Sequence, residues 1–346
     1  MAQNSRSSPE LLRPRPTTAT INNVGKFRLL NDLEPIEVTF ILLAFVSIVG
    51  AGIITVVRIN DSPRSSPDFT FALLLFINLL FILYYVVFGV FCERPFELII
   101  SIIATAIVML YCIVEYIWKG YNDRGEVHDL KLGRLIVISV VGPIDIGLGI
   151  KIAYKFYTSK NLIFRTVGGN ALLQNMCQTM FFFTAFLKFD FQLVISLLVL
   201  ILNVSHSLTK GEKAVLGVGV PISFFWMILG FLMIRYENIK VSFIFWIIGL
   251  LEPTYIIWLF VKTANQIDAA KKNDNNQNVV LFCIFAAGIL GLLLRTLIFV
   301  WSYFIFKNFN KGLKEKVYQH MSAVPIRSTS VESQQNNPNY NSMQSS

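Results

Sequence analysis

Long apolar runs separated by short polar breaks dominate the chain, and the runs are continuous instead of alternating. Residues 36–57, 69–91, 97–118, 134–157, 214–234, 241–261 and 279–306 each supply about 20 or more residues, enough for a helix to cross a hydrocarbon core of about 30 Å. In lipid only helices and closed barrels satisfy every backbone group, and runs without a period of two select helices. The pattern therefore predicts an all-α, polytopic transmembrane helical bundle.

One stretch leaves the span count open. Residues 170–207 read either as a single span over 180–203 with Lys188 and Asp190 inside it, or as two short spans broken at Leu187–Lys188–Phe189–Asp190. Loop charge arbitrates. Eight spans put 17 Lys and Arg on the side of both termini and 11 on the other, whereas nine spans divide them 15 to 14. Positive residues collect on the cytosolic side, so eight spans with both ends cytosolic is the preferred reading and nine the alternative. Span length does not choose between plasma membrane and endomembrane.

The domain organisation follows. Residues 1–35 are polar, contain Arg13–Pro14–Arg15–Pro16 and lack an apolar core of the signal-peptide kind, so they form a disordered cytosolic segment. Residues 36–306 are the bundle, and 307–346 are a basic juxtamembrane stretch followed by a Ser-, Asn- and Gln-rich disordered tail. Six residues, Cys92–Glu93–Arg94–Pro95–Phe96–Glu97, separate spans two and three, which forces an antiparallel hairpin. Glu93, Pro95 and Glu97 echo Glu34, Pro35 and Glu37, which hints at an internal repeat; proline and acid also suit a helix start, and that chemistry alone produces such a resemblance. Pro143 among Gly142, Gly147 and Gly149, and Pro253 after Glu252, predict helix kinks.

Composition narrows the function classes. A chain with 54% hydrophobic and 15% charged residues is too apolar for an ordinary soluble domain. Its net charge of +9 comes from Lys and Arg at the ends of apolar runs and in the termini, which fits the lipid bilayer and not nucleic acid. Lys151, Lys155, Lys160 and Arg165, interleaved with aromatic residues, form a candidate contact for anionic lipid. Cys92, Cys112, Cys177 and Cys283 have no metal-ligand spacing, and the expectation is packed thiols, with Cys92 also a candidate for palmitoylation. His128, His206 and His320 are scattered, and neither HExxH, a phosphate-binding loop nor a nucleophile elbow occurs. No enzyme activity, metal or cofactor is expected.

Charges inside spans carry what chemistry the sequence offers. Asp145, Lys188, Asp190, Glu252 and Arg295 all fall near the middle of predicted spans, where a charge costs roughly 2.5–3.5 kcal/mol and seeks a partner. Glu252 lies eleven residues after Val241 and Arg295 eleven before Phe306, so an antiparallel hairpin brings them to one depth. A Glu252–Arg295 pair is expected, with Lys188 pairing to Asp145 or Asp190. Lys188 and Asp190 point to different faces of a helix and do not readily pair with each other. Structural packing pairs are the first reading. A transporter or channel-like site on kinked helices is the second.

The tail supplies a third. Asn337, Pro338 and Tyr340 spell NPxY, and Tyr318 to Met321 fits a tyrosine-based sorting signal. Both patterns suit a trafficked receptor or adaptor-linked protein that recruits a clathrin adaptor or a phosphotyrosine-binding domain.

The block from Leu172 to Asn203, through Leu187, Lys188, Phe189, Asp190, Gln192 and Asn203, resembles a family of eukaryotic multipass membrane proteins whose domain has no assigned function. That resemblance implies a multipass fold. It transfers no catalytic residue, ligand or partner.

Overall fold

A computed structural model of the chain describes residues 18–21, 25–28, 30–63, 67–117, 126–204, 210–270 and 275–319. A short antiparallel ribbon, β1 (Thr18–Ile21) with β2 (Gly25–Arg28), leads into α1 (Pro35–Asp61). The helices α2 (Pro67–Phe91), α3 (Pro95–Glu115) and α4 (Glu126–Ser159) follow. After a short α5 (Asn161–Val167) come α6 (Ala171–Val204), α7 (Lys210–Tyr236), α8 (Ile239–Gly249), α9 (Leu251–Ala270) and α10 (Asn275–Lys307). Among the described residues eight segments are long and apolar enough to cross a membrane, with α8 and the start of α9 forming one of them, Ile239–Val261.

The ambiguous stretch is one unbroken 34-residue helix, α6. Its charged centre needs no loop, because Lys188 and Asp190 each meet an opposite charge from another helix. The helices extend beyond the apolar runs: α4 begins at Glu126, α9 continues to Ala270 and α10 begins at Asn275.

Packing divides the bundle into two groups. In the first, α1 packs on α2 and α4, and α3 on the same two, closing a four-helix ring around Phe40, Leu75, Leu98, Val108 and Ile152. In the second, α6 packs on α7 and α10, and α8 with α9 fills the place between those two. Its interior holds Phe183, Leu187, Trp226, Phe245, Ile298 and Met233. The groups meet where α2 and α3 lie against α6, which is why α6 is the most buried of the spans. Many large apolar side chains on the perimeter, such as Phe45, Ile53, Ile136, Phe225, Ile247 and Leu293, are exposed.

Small residues set the closest approaches. A side chain at Gly149 of α4 would press on Ile102 and Phe40, and one at Gly249 on Phe299 and Trp226. α4 runs through Pro143 as a single helix. The other proline-bearing span is interrupted instead: α8 stops at Gly249, and α9 begins at Leu251 with Glu252 and Pro253 in its first turn, where proline's missing N–H costs no helix bond.

Candidate functional site

Arg295 of α10 is the most elaborated buried charge. The side chain is 2% exposed, and its Nη2 lies 2.7 Å from Asp190 Oδ2 on α6 while also contacting the Glu252 carboxylate on α9. Its guanidinium carbon sits 3.6 Å from the ring centre of Trp226 on α7, a cation–π contact in a desolvated place. Trp226 in turn stacks on Phe245 of α8 at 4.5 Å between ring centres and donates its indole N–H to the Phe245 carbonyl at 2.9 Å. One planar cation thus touches three other helices directly and a fourth through Trp226. Arg suits this role better than Lys, since its flat, weakly hydrated head accepts carboxylates at its edge and an aromatic on its face.

Lys188 belongs to a second cluster. Its Nζ lies 2.6 Å from Glu97 Oε1 at the start of α3, and Arg94 reaches the same oxygen at 2.9 Å. Lys188 also lies over the Tyr84 ring and Arg94 over the Phe181 ring. The expected partners of Lys188, Asp145 or Asp190, are both replaced by Glu97. Two positions apart on one helix, Lys188 turns toward α3 and Asp190 toward α10, so each finds its own counter-charge.

Asp145 stands apart from both. It sits on α4 in the first group, where Ser47 of α1 donates a long hydrogen bond to its Oδ2 at 3.3 Å and its buried Oδ1 has no hydrogen-bond partner. Asp145 therefore does not join the other intramembrane charges. α4 faces α1 and α3 instead of α6, and this keeps Asp145 away from Arg295.

A third ionic cluster was not anticipated. Glu37, fully buried in the first turn of α1, holds Arg28 at 2.9 Å and Lys155 of α4 at 2.9 Å, and Lys155 also reaches Glu34 at 2.6 Å. Arg28 extends to Glu93 in the α2–α3 turn, which also contacts Arg165 of α5. Of the four residues assigned to anionic lipid, Lys155 and Arg165 are thus engaged within the chain, while Lys151 and Lys160 are exposed. The echoed acids carried the signal: Glu37 and Glu97 each sit in the first turn of a helix, and each gathers two cations. Their place at a helix start is only part of their role.

The remaining candidates are simpler. Tyr318 lies in a short π-helical turn, Glu315–Gln319, with its ring packed against the second group's core. Met321, Asn337, Pro338 and Tyr340 fall outside the described residues. Cys92, Cys112 and Cys177 are buried, and burial pushes the Cys92 thiol above its ordinary value. Among the described residues no group of three or more His, Cys, Asp or Glu is arranged to hold a metal ion. An apolar cavity of about 430 Å³ opens between α6, α7 and α9, lined by Leu197, Leu198, Ile222, Ser223 and Tyr255, with Glu252 at its polar end.

Neither a curated protein nor a solved structure matches the chain. A family described as a domain of unknown function, DUF7789, matches residues 24–154 and 167–304, most of both helix groups. The chain belongs to the DUF7789 family of proteins, and among its described residues eight segments are long and apolar enough to cross a membrane.

Proposed function

We propose that this chain is a non-enzymatic, multipass integral membrane protein whose buried charges are architectural, fixing which spans neighbour one another. The observation that carries this reading is the Arg295 cluster, in which one guanidinium is shared by Asp190, Glu252 and the Trp226 face. A site that turns over or releases a charged substrate needs an open coordination position. Here the cation is already enclosed by residues from three other helices. Both ends are cytosolic in this reading, supported by an even span count and by the excess of Lys and Arg on that side.

The test exploits an asymmetry of buried ion pairs. Removing one partner strands the other charge and costs about 3–5 kcal/mol, whereas replacing the whole set by apolar residues of similar size is often neutral. Arg295→Ala and Glu252→Gln should each lower the yield of folded protein in the membrane. The variant combining Asp190→Leu, Glu252→Leu and Arg295→Met should restore it. Restored folding together with loss of a solute flux in reconstituted vesicles would instead favour the second reading, a transporter or channel-like protein. The cavity beside Glu252 is the specific feature on that side, because it brings an apolar space to the edge of the charged cluster.

A further inference from the structure

The two helix groups share more than a helix count. Each closes into a ring in which the first helix packs on the second and the last, and each begins at the same end of the bundle, the end that carries Glu37, Glu93 and Glu237. Their irregular turns also correspond. Among the described residues only four non-glycine positions adopt positive φ, and they fall in two matching pairs. Glu93 and Glu237 follow the second helix of each group, at φ 51° and 47°. Lys160 and Asn310 follow the last helix, at φ 49° and 59°, and a short helical segment comes after each. The family match divides at the same boundary, into residues 24–154 and 167–304.

This correspondence puts the buried charges in register. Asp145 lies 15 residues before Lys160, and Arg295 lies 15 residues before Asn310. Ser47 lies 46 residues before Glu93, and Asp190 lies 47 before Glu237. The Ser47–Asp145 contact between first and last helices of one group is thus the counterpart of the Asp190–Arg295 ion pair in the other. The second group fills the position with a cation from its own chain. The first supplies only an acid and a hydroxyl.

A cavity of about 50 Å³ lies beside this acid, lined by Ser47, Ser101, Thr105 and Asp145 among apolar side chains. Such a volume holds a few water-sized species. The other charged groups on the helices around it lie at a distance: Lys151, six residues along α4, is exposed. Glu37 on α1 and Lys155 on α4 are each ten residues away, about 15 Å along their helices, and pair with each other. Arg58 lies farther along α1, and Glu97 on α3 is held by Lys188 and Arg94. α2 contributes only Leu79, Ile82 and Val86 to the lining.

We infer that Asp145 and Ser47 form a site for an exchangeable single positive charge, a proton or an alkali cation, which balances Asp145 as Asp190 and Arg295 balance each other in the second group. An unpaired carboxylate at this depth is costly, and an incoming charge relieves it. The site goes beyond the architectural reading of the other clusters, since here the counter-charge comes from outside the chain.

The test uses the full chain in nanodiscs of zwitterionic lipid and reads the thermal unfolding midpoint in two series. One exchanges choline for sodium or potassium at fixed pH, and the other lowers pH in choline alone. Binding should raise the wild-type midpoint by roughly 3 °C relative to Asp145→Asn in one of the two series, which identifies the charge as cation or proton. The double variant Ser47→Asp, Asp145→Arg copies the second group's pair into the first. It should fold and lose the response, so it provides the insensitive reference even if Asp145→Asn does not fold. A wild-type midpoint that tracks either reference in parallel through both series overturns the inference.

Discussion

The two helix groups solve the same problem, charge inside a hydrophobic bundle, at different depths and with different completeness. In the first group the ion pairs lie at one end, where Glu37 and Glu93 draw Arg28, Lys155 and Arg165 together across five chain segments. Its single mid-helix acid, Asp145, has only a serine. In the second group the principal ion pair is central, with Arg295 enclosed by Asp190, Glu252 and Trp226. Between them Lys188 reaches across from α6 to Glu97 of α3, tying one ring to the other. A charge near the membrane surface is cheap and can be shared with water. A charge at the centre is tolerated only when partners come from several helices at once.

That contrast orders the expected effects of mutation. The largest belongs to Arg295→Ala, which leaves buried Asp190 and half-buried Glu252 without their cation and should destabilise the fold by about 3–5 kcal/mol, read as a shift in detergent-induced unfolding. Next is Glu97→Gln, which strands Lys188 and Arg94 at the seam between the groups. A loss of about 3 kcal/mol is expected, and a smaller one for Lys188→Met, since Arg94 still satisfies the acid. Gly249→Val should cost about 1–3 kcal/mol by overpacking against Phe299 and Trp226, and equal stability of this variant would sink the close approach described at the α8–α9 break. At the surface, Lys155→Ala removes a half-exposed partner of Glu37, and the expected loss is under about 1 kcal/mol. The smallest signal concerns Cys92. Buried, with its thiol held above the ordinary value, it should react with a water-soluble maleimide far more slowly in folded than in denatured protein.

Much of this was legible in the amino-acid order, for reasons that can be named. Seven of the spans follow from run length, because the bilayer imposes the length and only helices satisfy the backbone there, while the stretch around Lys188 and Asp190 needed loop charge to decide between one span and two. The pairing of Glu252 with Arg295 followed from equal distances to the ends of a hairpin, and the structure brings the two together. Asp190 as a second partner for Arg295 was not legible, since it depends on α6 packing against α10, a contact between helices far apart in the chain. For the same reason Lys188 was assigned the wrong acids. Glu97 sits 91 residues away and looked like a helix-start residue, which it also is. The end cluster around Glu37 escaped because exposure of Lys155 and Arg165 was inferred from their basic, aromatic surroundings, a composition that serves lipid contact and intramolecular pairing equally well.

The central claim, that the buried charges hold helices in place and do no chemistry, is tested most directly by the unfolding free energy of the triple apolar variant at Asp190, Glu252 and Arg295, compared with Arg295→Ala and wild type in the same bilayer mimic. The account predicts a triple variant within about 1 kcal/mol of wild type, well above the single substitution. A triple variant that folds with wild-type stability but abolishes a measurable flux, or one as unstable as Arg295→Ala, would contradict it.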